Sequence, residues 1–277
     1  MIDQLDSNLA LADNFDSSFE LSDAEMHLYS RQILLEGWDL EAQEKLKLAN
    51  ILIVGAGGIG CSCAELLARA GVGKITLIDA DRIEVSNLQR QIAYSSADLG
   101  MYKAEVLAKR LTQINPHIDV EAVVARLDQD NAAAYIAAQD LVLDSCDNFS
   151  TRYLVNQFCQ QAEVPLISAA AIAFQGQLLM VEGESACYQC LFPKNSDSTA
   201  QQADEGLRCA DSGVLATTPN VMAALQAHHA LLYLGLGKTP LKQKLLLWDG
   251  LSMRQRLLQF EKDDQCPICS SRSNSKV

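Results

Sequence analysis

The chain has 277 residues, of which 49% are hydrophobic and 21% charged. That is an ordinary globular balance and leaves little room for extensive disorder. Twenty-two Lys and Arg stand against 35 Asp and Glu, a formal charge of -13, which argues against a general nucleic-acid binder because most of the surface repels phosphate backbones.

Residues 1–21 mix acids, Ser and Asn with scattered apolar positions and read as a disordered acidic tail. They lack the basic start and apolar middle of a signal peptide, so the expectation is a cytoplasmic protein whose nine cysteines stay reduced. Ser22 and Glu25 fit a capping box that opens a helix through Met26, Tyr29, Ile33 and Leu34. A second helical stretch at 40–48 precedes the first strand, 51–54. From there β and α signals alternate. The loop GAGGIG (55–60) leads into a helix to Ala70, then come a strand at 75–78, a helix at 103–114 and a strand at 118–124. A helix at 131–138, a strand at 141–143, a helix at 151–162 and a strand at 165–171 complete the run. These strands are apolar nearly throughout, as expected for a parallel sheet covered by helices on both faces.

Past Gln175 the stretches 177–181, 244–248 and 255–260 read as antiparallel additions. Residues 193–211 are polar, without periodicity and longer than a usual connection, hence either a functional lid or a disordered segment. A long helix at about 218–236 follows, and the terminal SSRSNSKV is expected to fray. Its most apolar part, 221–236, is interrupted by Gln226, His228 and His229, so no transmembrane span is expected. The predicted fold class is α/β: a Rossmann-like, mostly parallel sheet with helices on both faces and a C-terminal antiparallel extension.

The glycine motif follows a strand and opens a helix, the context in which it signals nucleotide binding. Gly55 permits the tight turn, Gly57 and Gly58 let phosphate approach the backbone, and Gly60 lets helix and strand pack closely. Asp79 closes the next strand at the distance where an acid takes ribose hydroxyls. Ser86-Asn87-Leu88-Gln89-Arg90-Gln91 and Lys103 then bring two cations and several amides near the loop, which suits a triphosphate better than a dinucleotide's pyrophosphate.

Cys187 and Cys190 form one CxxC pair and Cys266 and Cys269 a second, about 75 residues apart. Two such knuckles close a tetrahedral structural zinc site. A redox motif is disfavoured because neither pair opens a helix in a thioredoxin-like unit, and disulfides conflict with a reducing compartment. Cys61, Cys63, Cys146 and Cys159 read as inert packing residues, and His228 and His229 have no evident acid partner.

Together the segments YSRQILLEG (29–37), GAGGIG, SNLQRQ (86–91), Lys103, Asn115-Pro116, Asp147-Asn148 and the two CxxC pairs resemble the MoeB/ThiF/HesA family of ubiquitin-activating-enzyme-like adenylyltransferases. The resemblance spans about 23–269. It implies that Gly58, Asp79, Ser86, Asn87, Leu88, Gln89, Arg90, Lys103, Asp147 and Asn148 contact ATP and its Mg2+, with Asp147 on the metal. A helix N-cap is the other reading of Asp147, since a helix follows closely. It also implies a homodimer in which Arg31 reaches the partner subunit's nucleotide. Ser145-Cys146 departs locally, since relatives commonly carry Cys-Thr before the Asp-Asn pair.

The implied organisation is a single adenylation domain at 22–277, with a nucleotide core at about 50–172 and a carrier-binding, zinc-clipped part at about 173–270. The implied reaction joins AMP to the C-terminal Gly-Gly carboxylate of a ubiquitin-like sulfur carrier, with sulfur supplied by a separate donor protein. An α-carboxyl with a pKa of about 3.5 needs no general base at neutral pH. The task is to bring one anion against another, which falls to Arg90, Lys103, Arg31 and the metal. Cys209, beside Arg208 in the polar segment, has the setting of a reactive thiol. A covalent role with the carrier and an incidental loop cysteine both stay open. Alternatives are a relative that adenylates a carboxylate borne on tRNA, an NAD-dependent oxidoreductase, and a zinc-clipped scaffold without catalysis.

Overall fold

The computed structural model describes residues 20–194 and 213–270. The expected acidic tail up to residue 19, most of the polar segment with Cys209, and the C-terminal residues 271–277 lie outside the described residues. Leu21, assigned to the tail from sequence, is buried.

Chain order is α1 (Asp23–Leu28), α2 (Ser30–Ile33), α3 (Leu40–Leu48), β1 (Asn50–Val54), α4 (Gly60–Ala70), β2 (Lys74–Ile78), α5 (Lys103–Ile114), β3 (Asp119–Val123), α6 (Ala132–Ile136) and β4 (Leu141–Asp144). There follow α7 (Phe149–Ala162), β5 (Leu166–Ile172), β6 (Gln175–Val181), α8 (Tyr188–Leu191), α9 (Thr217–Leu236), β7 (Lys244–Asp249) and β8 (Arg254–Gln259). The helix expected to run from Ser22 to Leu34 opens on the predicted capping box but breaks at Tyr29. The Tyr29 ring is buried and its hydroxyl accepts a hydrogen bond from Asn115 Nδ2 at 2.8 Å, which turns the backbone out of helical geometry.

The strands form one eight-stranded sheet in the order β3-β2-β1-β4-β5-β6-β7-β8. β3, β2, β1, β4 and β5 are parallel, and β6, β7 and β8 are antiparallel additions. The apolar strands feed two cores. Ile51 and Ile53 of β1 pack with Leu46, Leu67, Leu107 and Met222 on one face, whereas Leu52 and Val54 pack with Ile136, Val155 and Tyr188 on the other. The edges depart from the apolar pattern: β3 exposes Asp119 and Glu121, which pair with Lys74, and every residue of β8 is exposed. Charged edges of this kind discourage pairing with further strands. Among the described residues no helix is long and apolar enough to cross a membrane.

Strand order reverses between β1 and β4, where a parallel sheet leaves a crevice at its carboxyl ends. The glycine loop leaves β1 and the Asp147 loop leaves β4, side by side across that crevice.

Candidate active site

The glycine loop owes its shape to two contacts. Gly55 has φ +94°, with the Ser145 carbonyl close beside it, and a side chain on Gly60 would overlap the Gly55 carbonyl oxygen. α4 therefore starts directly against the strand end. Its N-cap, Ile59, offers no side-chain bond and its first turn holds no acid, so the amides and the positive end of the helix dipole face the crevice. From below, Tyr94 donates its hydroxyl to the Ala56 carbonyl at 2.8 Å. From the side, Asn220 of α9 accepts from Ser62 Oγ at 2.6 Å and donates to the Arg90 carbonyl at 3.4 Å.

Asp79 follows β2, and its carboxylate accepts from the amides of Ala56 and Asp81, each at 2.7 Å. Burial raises its pKa, against the pull of Lys103. Lys103, the first residue of α5, is buried, and its ammonium donates to the exposed Asp81 carboxylate at 3.0 Å. Ser86 and Gln89 are exposed and Leu88 is half-buried. Asn87 is buried, and its Oδ1 accepts from the Glu84 amide at 3.1 Å, capping its own 3-10 turn. Arg90 donates to the Ser86 carbonyl at 2.9 Å. Gly58, Asp79, the Ser86–Arg90 segment and Lys103 thus border one crevice. Arg31 stands exposed on α2.

Asp147 is exposed three residues beyond β4. The sequence left open that it caps α7. Asn148 does so instead, accepting from the Thr151 amide at 2.9 Å, which leaves capping to the neighbour and not to Asp147.

Two features escaped the sequence. Gln91, inside the SNLQRQ segment, is buried with its carboxamide beside Gly57, and its Oε1 finds no hydrogen-bond partner among the described residues. Behind Asp147, Arg152 of α7 is buried against Asp144, the last residue of β4. Burial works against the guanidinium charge, and the Asp144 carboxylate more than offsets it, so Arg152 stays protonated. The one available signal was an acid ending an all-apolar strand, since a buried charge demands a partner.

The four cysteines of the two CxxC pairs converge as the spacing predicts. Cys187–Cys266 sulfurs lie 3.6 Å apart, Cys190–Cys269 3.3 Å and Cys187–Cys190 3.9 Å, and all four are within 4.8 Å of one another. None is in a disulfide. Four thiolates around Zn2+ at Zn–S of about 2.3 Å sit about 3.8 Å apart, so the cluster fits that ion. Burial raises the Cys187 and Cys269 thiols, whereas at Cys266 burial is outweighed by hydrogen bonds, led by the Cys269 and Ile268 amides, which lower it. Cys61, Cys63 and Cys159 are buried core residues, and Cys146 turns its thiol to Asp144.

A match to the ThiF family covers residues 29–268. The chain belongs to that family. The chain is 41% identical over 252 residues to the molybdopterin-synthase adenylyltransferase of Salmonella typhimurium, covering 90% of this chain and 98% of that protein. It is 38% identical over 259 residues to the sulfur carrier protein ThiS adenylyltransferase of Escherichia coli, covering 93% and 100%. Among solved structures, E. coli MccB with ATP superposes with a TM-score of 0.77 at 28% identity, over 90% of this chain and 75% of that one. This ThiF-family chain is an enzyme of the adenylyltransferase type.

Proposed function

We propose that the protein uses ATP to adenylate the C-terminal glycine carboxylate of a ubiquitin-like sulfur carrier, of the molybdopterin-synthase small-subunit or thiamine type. A carboxylate oxygen attacks the α-phosphorus, the bond to the β-phosphate oxygen breaks, and pyrophosphate leaves with that electron pair. The observation that best supports this reading is the crevice itself. An uncapped helix N-terminus, two cations and an exposed acid border it, and no general base is required. The names of the relatives supply the class of acceptor.

In this reading the amides around Gly58 hold phosphate, Asp79 holds ribose, and Arg90 and Lys103 neutralise the phosphates, with Lys103 giving up Asp81 for them. Asp147 suits Mg2+, a hard ion that binds through one or two carboxylates, waters and phosphate oxygens. That ion would neutralise charge on the phosphates. Arg31 acts across a homodimer. Leu28 at the end of α1 and Leu34 and Leu35 just past α2 are exposed close to Arg31 in the chain, apolar surface that supports burial against a second copy.

The deciding experiment measures ATP–pyrophosphate exchange with purified carriers ending in Gly-Gly, added one at a time. Exchange that depends on one of them is expected. A protein that binds ATP yet exchanges with none would overturn the proposal.

A further inference from the structure

Cys146, the residue that leads into Asp147, is gripped at both of its backbone groups. Asp144 Oδ1 accepts from the Cys146 amide at 3.1 Å and from the Cys146 thiol at 2.7 Å. Arg152 Nη2 donates to the Cys146 carbonyl, which is the carbonyl bonded to the Asp147 nitrogen. The grip is itself braced. Arg152 Nη1 donates to Asp144 Oδ2 at 3.1 Å and to Ser168 Oγ at 2.8 Å, Nη2 also reaches the Ala169 carbonyl at 2.9 Å, and Ser168 donates to Asp144 at 2.6 Å. One residue earlier, Ser145 donates its amide to the Val54 carbonyl at 2.9 Å and its hydroxyl to Gln226 at 2.9 Å, while its carbonyl abuts Gly55. One residue later, Asn148 is fixed as the cap of α7. Asp147 is thus an exposed side chain on a backbone locked to the glycine loop.

A buried ion pair is a poor device for stability, because apolar residues of similar volume serve as well or better. Its retention here calls for another reason, and its bonds to both backbone groups of Cys146 supply one. We propose that Arg152 and Asp144 are positioning residues that hold the Asp147 carboxylate in register with the glycine loop, and that the Cys146 thiol is part of the clamp. This rests on Asp147 holding a metal–nucleotide complex, as proposed above. Arg152, buried behind the loop, acts only through it.

The test uses the full-length protein, with Mn2+ and α,β-methylene-ATP as probes. Mn2+ affinity in the presence of the analogue is read by electron paramagnetic resonance, metal-free analogue affinity by calorimetry, and folding by the thermal midpoint. Groups that orient a metal ligand are commonly worth about 10–100-fold in metal affinity. Arg152→Lys keeps the charge and loses the fork, so Mn2+ affinity is expected to fall about tenfold while metal-free affinity stays at the wild-type value. Cys146→Thr, which restores a donor to Asp144, is expected to bind Mn2+ like wild type, and Cys146→Val more weakly.

A folded Arg152→Lys with wild-type Mn2+ affinity would overturn the proposal, as would an equal loss of metal-free affinity. Should Arg152→Lys not fold, the cysteine pair decides, and equal Mn2+ affinity in Thr and Val variants would overturn it. Asp147→Ala separates the two levels of inference. Normal Mn2+ affinity there removes the metal assignment itself, whereas a defect there beside a normal Arg152→Lys removes only the positioning role.

Discussion

Adenylation asks a few side chains to hold two anions together, and each cation is worth most where water is least. Lys103 spends its charge on Asp81 in this structure, and Arg90 turns to the Ser86 carbonyl. In the proposed reaction both side chains would leave these partners to meet phosphate. That gives weight to a cation arriving from outside. Arg31, exposed among Leu34 and Leu35, is the candidate. An arginine supplied across an interface is worth about 10³–10⁵ in rate, so Arg31→Ala is expected to lower carrier-dependent exchange at least ~100-fold with the thermal midpoint unchanged. Mixing Arg31→Ala with an inactive Asp147→Ala protein would regenerate active sites holding one intact copy of each residue, and recovered exchange would show that the arginine acts in trans.

At the level of elements, the chain's punctuation was legible because each signal is local. The helices at 40–48 and 103–114 occupy the predicted residues, and the Ser22 box forms, with Ser22 Oγ accepting from the Glu25 amide and the Glu25 carboxylate accepting from the Ser22 amide at 2.8 Å. Glu25 also pairs with Lys47 at 3.0 Å, tying α1 to α3. Ser22→Ala is expected to cost about 1 kcal/mol, readable as a lower denaturant midpoint with an unchanged slope. The CxxC spacing foretold a cluster because two short knuckles need only one long-range meeting. What stayed hidden depends on contacts far apart in sequence. The break at Tyr29 needs Asn115, the Asp144–Arg152 pair needs Ser168 and Gln226 around it, and the buried Gln91 is defined only by Gly57 above it. The order β3-β2-β1-β4-β5 was legible only as a class, since apolar strands carry no record of their neighbours.

For the whole molecule, two groups set the conditions under which it holds together. His229 of α9 is buried, its Nδ1 lacks a partner among the described residues, and burial together with the neighbouring His228 lowers its pKa to about 4. Unfolded, it titrates near 6.5, so between pH 6.5 and 4 only the unfolded chain takes up the proton. Stability therefore falls as pH drops through that window, by about 1–3 kcal/mol, and His229→Phe should flatten this part of the profile. The second group is the cysteine cluster, which joins α8 after β6 to the segment after β8, closing the antiparallel extension at its far end. β8 has no buried residue and is otherwise held by its ladder to β7. Apparent zinc affinities of about 10–16 kcal/mol match or exceed a domain's whole stability of about 5–15 kcal/mol, so the ion would decide whether this extension stays closed. Chelation is expected to speed amide exchange first in β7, β8 and residues 260–270, while β1, β2 and β4, buried between two helical layers, stay protected. Uniform loss of protection would instead mean that the sheet opens as one unit, and metal-free protein purified without chelator would remove the zinc assignment.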